Sequence, residues 1–324
     1  IDDIPELPLI PDSYINEDST FVLELPYKDV DEEILEYNIN INGLENVSYS
    51  IDNINELDNI RYLSIIPNED WNGTLIIDVT ASDLLSSVNE EFVLDVIPVN
   101  DSPQIVSSPI LTALINEQYE YQVEIYDPDS ETFYFDLSNY PEGMDISEDG
   151  FITWTPTETG LYPDIQIIVY DSEVFELADY DSQIFSIDIK LQQLFSLHEG
   201  SNLISFVGLN IDEQDNLIES IFTDITPNLT HIFTENYASI YLEDDNIWFG
   251  SLDFIEPERG YWLRVENPDS LELITYESPS DLIYNLHYGN NLISYIGDNN
   301  ASIEDAIPDE VEDYFTNIFT ENLS

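Results

Sequence analysis

The sequence predicts a mainly β protein built from several β-sandwich modules in series. Short runs rich in β-branched and aromatic residues, such as 74–80, 119–126 and 166–170, show partial alternation of apolar and polar side chains. Clusters of Pro, Gly, Asn and Asp separate these runs at the spacing expected of sandwich strands. Convincing helical periodicity occurs once, around residues 215–224, with a weaker echo at 302–314.

The chain of 324 residues has enough apolar material for several packed cores. Hydrophobic residues make up 43% and aromatic residues 12%, which argues against intrinsic disorder despite the high charge. Proline-containing joints at 98–103 and 278–281 mark two boundaries, and a change of sequence style near Lys190 marks a third. These boundaries divide the chain into modules that span residues 1–102, 103–192, 193–280 and 281–324.

An internal repeat identifies the last module as a partial copy of the one before it. The segment 197–208 recurs as 286–297, and the five residues 232–236 recur unchanged as 318–322. The second copy ends before any equivalent of Trp248 or Trp262, and half a module leaves its apolar face open to water. We therefore expect either that the natural chain continues or that another subunit completes the module.

The charge balance excludes several classes of partner. Asp and Glu number 69 against five Lys and Arg, which gives a formal net charge of −64. Such a chain repels phosphate backbones and anionic lipids, so neither nucleic acid nor a membrane surface is expected as a partner. The acidity fits adaptation to a salty medium, the binding of divalent cations, or both. The chain has no cysteine, and no apolar stretch approaches the ~20 residues of a membrane span.

The first module resembles the bacterial cadherin-like repeats found in tandem in large secreted adhesins. Five motifs in the family's order carry this resemblance, namely 16–19 (Asn-Glu-Asp-Ser), 29–31 (Asp-Val-Asp), 67–73 (Pro-Asn-Glu-Asp-Trp-Asn-Gly), 80–83 (Thr-Ala-Ser-Asp) and 99–103 (Val-Asn-Asp-Ser-Pro). The second module resembles immunoglobulin-type and dystroglycan-type cadherin-like modules through 127–129, 140–146 and 150–160. Residues 194–278 are similar to a β-rich module of bacterial secreted proteins for which no activity is implied.

The cadherin-type resemblance implies a Ca²⁺ site at the joint between the first two modules. Ca²⁺ takes six to eight oxygen ligands, and Asp-x-Asp on an extended strand directs two carboxylates to one face. The ligands carried over by position are Glu17, Glu69, Asp70, Asn100, Asp101, Asp127, Asp129 and Asp171. A second, incomplete set facing a preceding module comprises Asp29, Asp31 and Asp83.

Departures from the cadherin pattern limit the expected number of ions. The linker has fewer acidic ligands and the late acidic pair lacks the cadherin Arg, so the joint is expected to hold one ion or none rather than three. A turn without an ion explains Asp127 and Asp129 equally well. At the joint near Lys190, where no comparable linker exists, we expect a packing contact without ions.

No motif for catalysis stands out. With so many acids, paired carboxylates occur by coincidence, and no nucleophile elbow, zinc-protease motif or phosphate loop is present. His198 and His287 occupy the same repeat position before a glycine, which favours a structural role. Trp248, Tyr261 and Trp262 are interpreted as core residues, with an aromatic platform for sugar rings as the alternative.

The sequence as a whole predicts a non-catalytic, secreted bacterial surface protein for adhesion or scaffolding, with Ca²⁺ stiffening its first joint. Its expected partners are proteins or glycans at a cell surface, or copies of itself. Two alternatives stay open: a subunit of an extracellular filament assembled end to end, and a carbohydrate-binding accessory region of a larger secreted protein.

Overall fold

The computed structural model describes residues 4–28, 34–55, 60–83, 85–174, 178–210, 213–279, 281–295, 302 and 306–319. The chain divides into two compact units. The first comprises Ile1–Ser102 together with the short segment Asp127–Glu131, and the second comprises Pro103–Tyr126 and Thr132–Ser324. The acidic loop 127–131 therefore belongs by its contacts to the first unit, although its flanking strands belong to the second.

The described residues of the first unit form seven strands. In chain order they are β1 (Ser13–Asn16), β2 (Phe21–Pro26), β3 (Glu36–Asn42), β4 (Val47–Asn55), β5 (Ile60–Pro67), β6 (Gly73–Ser82) and β7 (Ser87–Ile97). One sheet has the order β1-β7-β6-β3, with β1 parallel to β7, and the other has the order β2-β5-β4. Leu63 and Ile65 in β5 and Leu75, Ile77 and Val79 in β6 alternate inward and are fully buried between the sheets.

The second unit begins with another sandwich. Its strands are β8 (Gln104–Ile105), β9 (Thr112–Leu114), β10 (Tyr119–Gln122), β11 (Ile125–Tyr126), β12 (Tyr134–Ser138), β13 (Asp145–Ile146), β14 (Phe151–Trp154), β15 (Gly160–Tyr170) and β16 (Tyr180–Leu197). The order β10-β14-β13 forms one sheet, and β12, β15 and β16 lie in a second, where β9 pairs in parallel with β16. Strands β8 and β11 form a separate antiparallel pair. Trp154 and Ile152 of β14 pack in the core against Ile187 and Ile189 of β16.

The third module has the strands β17 (Gly200–Ser205), β18 (Gly208–Leu209), β19 (Leu229–Thr234), β20 (Tyr237–Leu242), β21 (Ile247–Gly250), β22 (Gly260–Val265) and β23 (Asp269–Glu277). Five of them form a sheet with the order β17-β22-β19-β20-β21. Its inner face, which includes Tyr261 and Leu263, packs on Phe206, Phe222 and Leu271.

Strand β16 passes without a break from the second module into the third. Its first half pairs with β15, and its second half, Leu191–Leu197, pairs with β23. The expected boundary at 192/193 thus falls inside one strand of 18 residues. The two modules share a sheet at this point, because the order β12-β15-β16-β23-β18 is continuous.

The predicted helix is present in a fragmented form. The 3₁₀ turns Glu213–Asn216 and Thr223–Ile225 flank a four-residue helix, α1 (Ile218–Ile221). Ile218, Ile221 and Phe222 are buried, which accounts for the helical periodicity of the sequence. The weaker echo contains one further short helix, α2 (Asp309–Glu312). The predicted mainly β fold class is confirmed: the described residues form β-sandwiches in series, followed by a β-rich module with a short helix.

The repeat has the same turn in both copies. The backbone amide of His198 donates to Asn202 Oδ1 at 2.8 Å, and that of His287 donates to Asn291 Oδ1 at 2.9 Å. The histidine Nδ1 atoms lie 2.9 and 3.0 Å from the carbonyl oxygens of the next residues, Glu199 and Tyr288. Both histidines therefore have the structural position in a turn that the repeat predicts.

Candidate metal centre

Glu17 holds the end of β1 to the exit of β7. The residue is 3% exposed, and its Oε1 accepts a hydrogen bond of 2.6 Å from the backbone amide of Val99. Its Oε2 accepts one of 3.2 Å from Asn72 Nδ2, while its own amide donates to Ile97 at 2.9 Å. Both carboxylate oxygens of this buried acid are thus engaged with the loops that surround the candidate site.

Three aspartates converge beside Glu17. One carboxylate oxygen from each of Asp18, Asp70 and Asp101 lies within 4.8 Å of the other two. Asp18 and Asp70 have φ angles of +59° and +55°, a left-handed conformation that Asp tolerates better than most residues. The left-handed backbone at these two residues directs both side chains toward Asp101, which an extended strand at the same positions does not do. Two oxygens that bind one Ca²⁺ at about 2.3–2.6 Å lie at most ~5.2 Å apart, so the spacing fits a shared ion.

The loop 127–131 adds two more carboxylates. Asp127 Oδ1 accepts hydrogen bonds of 2.8 Å from the amides of Asp129 and Ser130, which is the Asx turn that the sequence Asp-Pro-Asp favours. Asp129 Oδ2 accepts a hydrogen bond of 2.8 Å from the amide of Asp101. An Asx turn and a metal site are two interpretations of Asp127 and Asp129, and the structure is compatible with both. The turn places Asp129 next to Asp101.

Two carboxylate oxygens in this region are buried without a hydrogen-bond donor. They are Asp101 Oδ2 and Asp127 Oδ2. A buried carboxylate oxygen that lacks a donor is costly to the fold unless a cation or water satisfies it. An oxygen-only, strongly negative set of ligands matches the preference of hard divalent cations such as Ca²⁺.

The clustered acids also determine the protonation behaviour of Asp101. Burial raises the pKa of its carboxyl above the ordinary value, and the neighbouring carboxylates of Asp70, Asp129, Asp18 and Glu17 raise it further. Mutual repulsion of this kind favours whichever species neutralises the group, either a proton or a metal ion. The residues therefore fit a bound divalent cation on charge as well as on spacing.

Not every predicted ligand takes part in this convergence. Glu69 is exposed, and its carboxylate is not part of the acidic cluster found among the described residues. The side-chain Nδ2 of Asn100 donates to the carbonyl of Asp101 at 3.2 Å. Asp171 lies in the second unit, where its amide donates to the carbonyl of Asp179.

The second predicted set has one described member. Asp83 Oδ1 accepts hydrogen bonds of 2.6 Å from the amides of Leu85 and Ser86, and its Oδ2 accepts one of 2.9 Å from Ser86 Oγ. These bonds from Ser86 and Leu85 hold the pKa of the Asp83 carboxyl below its usual range. Asp29 and Asp31 lie outside the described residues.

Sequence reasoning missed Asp18. It directly follows Glu17 inside the motif 16–19, so its position was visible, but alternation along a strand assigns it to the opposite face. The turn after β1 removes that alternation and directs Asp18 toward Asp70. A positive φ at an Asp after a strand is the signal that identifies it.

No helix among the described residues is long and apolar enough to cross a membrane. No protein-family model matches the chain, and no curated protein sequence matches it.

Several solved structures are similar to parts of this chain at low identity. Human protocadherin-24 EC1–2 has 13% identity and a TM-score of 0.34, covering 55% of this chain and 94% of that one. The N-terminal Ig1–2 module of Drosophila receptor protein tyrosine phosphatase DLAR has 10% identity and a TM-score of 0.24, covering 58% and 100%. The endo-fucoidan hydrolase MfFcnA9 of glycoside hydrolase family 107 has 15% identity and a TM-score of 0.23, covering 57% and 33%. Similarities at this level carry no argument about function.

Proposed function

We propose that this chain is a non-catalytic, extracellular adhesion or scaffold protein of a bacterial surface, in which Ca²⁺ stiffens the connection after the first module. The observation that carries the proposal is the convergence of the Asp18, Asp70 and Asp101 carboxylates, one of which, that of Asp101, has a buried oxygen without a hydrogen-bond donor. The series of β-sandwich modules without a catalytic motif supports the adhesion or scaffold role.

The proposed ligands are the carboxylates of Asp18, Asp70 and Asp101, with Asp129 and Asp127 beside them. Glu17 is a positioning residue, since both of its oxygens already accept hydrogen bonds. Ca²⁺ is preferred to Mg²⁺ because the acids stand on separate turns, and Ca²⁺ accepts irregular coordination where Mg²⁺ demands a near-ideal octahedron.

The proposed mechanism is mechanical. Without a cation, the carboxylates of loop 127–131 and those of Asp70 and Asp101 repel each other, as the raised pKa of Asp101 reflects. A bound ion converts this repulsion into attraction and holds the loop. Because residues 126 and 132 on either side of the loop belong to the second unit, holding the loop restrains the connection between modules. Selective binding to the folded form also stabilises it.

The test is thermal unfolding and direct Ca²⁺ titration of the full chain in chelator, in millimolar Ca²⁺ and in Mg²⁺ at matched ionic strength. At a Ca²⁺ concentration of 100 times Kd, the expected stabilisation is about 2.7 kcal/mol. Asp70→Asn is expected to abolish it. The matched control is Glu69→Gln, which removes the adjacent exposed acid and is expected to leave the Ca²⁺ response intact. Equal melting in all three media contradicts the calcium part of the proposal.

A filament subunit is the second candidate, favoured by the direct contact between the two repeat copies. Ile293 of the second copy forms an antiparallel bridge with Arg259 of the first, and the Ser294 amide donates to the carbonyl of Glu258 at 3.2 Å. His287 also forms an ion pair with Glu235. The same contacts formed between chains give end-to-end association, which sedimentation of the full chain over a concentration series detects as growing polymers.

A further inference from the structure

The five-stranded sheet of the third module differs in charge from the rest of the chain. None of its strands, β17, β19, β20, β21 and β22, contains Asp or Glu, although acids make up roughly one residue in five of the sequence. Acidic residues lie in the connecting turns instead, such as Glu243 to Asp245 between β20 and β21. The sheet therefore presents an uncharged or weakly basic surface within a strongly acidic protein.

One face of this sheet is not covered by the core. Along β22, Tyr261, Leu263 and Val265 point inward and are buried, so Trp262 and Arg264 point outward. The register pairs Trp262 with Phe233 of β19, which places both on the outer face. Trp248, by contrast, packs beside the core with the inward-facing residues. The predicted core role thus holds for Tyr261 and Trp248, and it is wrong for Trp262.

Apolar side chains occupy two places on the outer face, a stacked pair of rings on β19 and β22 and an exposed pair on β20 and β21. The Trp262 and Phe233 rings lie nearly parallel, at 18°, with their centroids 6.3 Å apart. On the neighbouring strands β20 and β21, Ile240 pairs with Phe249, whose side chain is 65% exposed. The outer faces of sandwich sheets usually carry polar residues, so exposed apolar side chains in these positions mark the face as a candidate interaction site.

Hydrogen-bonding side chains lie beside the rings. Arg264 and His231 are paired in register one step from Trp262 and Phe233, and both are exposed. His231 Nδ1 lies 2.9 Å from Thr230 Oγ1, which orients the imidazole on the surface. Ser201 of β17 pairs with Arg264 and extends this polar row. The outer face therefore combines flat ring surfaces with an adjacent row of hydroxyl, imidazole and guanidinium groups.

We propose that this outer face, defined by Phe233, Trp262, Phe249, His231 and Arg264, binds a neutral polysaccharide. The C–H faces of a sugar ring carry partial positive charge and are apolar, so they pack on the electron-rich faces of aromatic rings. The sugar hydroxyls then meet the polar row. Flat rings beside a few directional polar groups are the arrangement that small polyhydroxylated ligands require.

Electrostatics selects a neutral ligand over a charged one. An anionic polysaccharide approaches a chain of net charge −64 against repulsion that acts over about 8 Å at physiological salt. A second copy of the chain brings the same charge and meets stronger repulsion. A cationic partner is drawn to the acidic surfaces and away from this acid-free face. A neutral saccharide approaches without any of these penalties.

The experiment is affinity electrophoresis of the full chain in gels containing dextran, a galactomannan or a mixed-linkage β-glucan, with dextran sulfate as the anionic comparison. We expect retardation by at least one neutral polysaccharide, unchanged by chelator, which separates this site from the Ca²⁺ centre. Trp262→Ala and Phe233→Ala are expected to weaken the affinity about tenfold. Tyr288→Ala, at a fully exposed aromatic outside the sheet, is the matched control and is expected to change nothing.

Phe249→Ala is a third test variant, and it is expected to keep the fold because this side chain is mostly exposed and lies on an edge strand. Circular dichroism checks that each variant is folded. A weaker affinity in the folded Phe249→Ala chain supports the proposal. Absence of binding to all three neutral polysaccharides overturns it, as does retention by dextran sulfate alone. Concentration-dependent dimerisation that Trp262→Ala abolishes, without saccharide binding, assigns the face to a second copy and also overturns it.

Discussion

The C-terminal ends (exits) of the first and second sandwiches, near Asp101 and Asp188, differ in how their negative charge is balanced. At the first exit, Asp101 lies among carboxylates and has an oxygen without a donor. At the second exit, Asp188 lies beside Lys190, whose Nζ is 2.9 Å from Asp188 Oδ2 and 3.6 Å from the centre of the Tyr276 ring. The Tyr276 hydroxyl also donates to Asp188. One of only five basic residues in the chain is thus placed where the second and third modules join.

The difference indicates which connection an external cation can control. At the second exit the chain supplies its own cation, and strand β16 runs through the junction without a linker. At the first exit no Lys or Arg lies in the motifs that converge, so neutralisation depends on a proton or a metal ion. We therefore expect Ca²⁺ to act on the first connection and to leave the second unchanged.

The largest expected effect tests whether the shared strand couples the second and third modules. Ile189 in β16 is fully buried, and Ile189→Ala is expected to destabilise the second unit by about 2–5 kcal/mol. Ile184→Ala on the same strand is the control, because that side chain is 62% exposed. Calorimetry is expected to show one transition of the second unit moving as a whole, equally in chelator and in Ca²⁺. A shift of only part of that transition shows that the two modules unfold separately.

A smaller effect is expected from removing the internal cation. Lys190→Met eliminates the ion pair with Asp188 and the cation–π contact with Tyr276, and is expected to cost about 1–2 kcal/mol. Urea denaturation measures the loss, with Lys190→Arg as the variant that retains the charge. The comparison predicts the same loss with and without Ca²⁺. A loss that Ca²⁺ reverses contradicts the idea that this junction is independent of external ions.

The smallest effect in chelator is expected from Asp101→Asn, and the sign of this effect reverses in Ca²⁺. Because its pKa is raised in the folded protein, the folded state binds this proton more tightly than the unfolded state does. In chelator, Asp101 therefore contributes no penalty below its ordinary pKa of 3.8, and the penalty grows until the pH exceeds the folded pKa. Asp101→Asn is expected to raise the melting temperature in chelator at neutral pH and to lower it in Ca²⁺.

The effect of Asp101→Asn on the melting temperature is measured as a function of pH to test whether the Asp101 carboxylate is destabilising in chelator. In chelator, the difference in melting temperature between the variant and the natural chain is expected to shrink as the pH falls through the raised pKa. Taking the difference removes the contribution of the other carboxylates. A variant that is less stable than the natural chain in chelator at neutral pH contradicts the inferred repulsion.

Local sequence rules account for much of the fold and for part of the site. The alternation along β6 and the Asx turn at Asp127 follow from period-two patterning and from Asp chemistry. The same alternation predicts Asp18 on the wrong face, because the turn at that residue has a left-handed backbone. Glu69 and Asp70 are adjacent acids in one motif, yet only the Asp70 carboxylate joins the converging three.

The sequence by itself determined the β-rich class, the charge, the internal repeat and the acidic motifs, since these depend on residue type and on spacing along the chain. The tertiary structure decided which carboxylates meet, that β16 crosses the expected boundary, and that Trp262 faces outward while its neighbour Tyr261 is buried. The physical reason is that strand register and turn conformation fix the direction of a side chain. A shift of one residue exchanges the two faces of a strand without changing its composition.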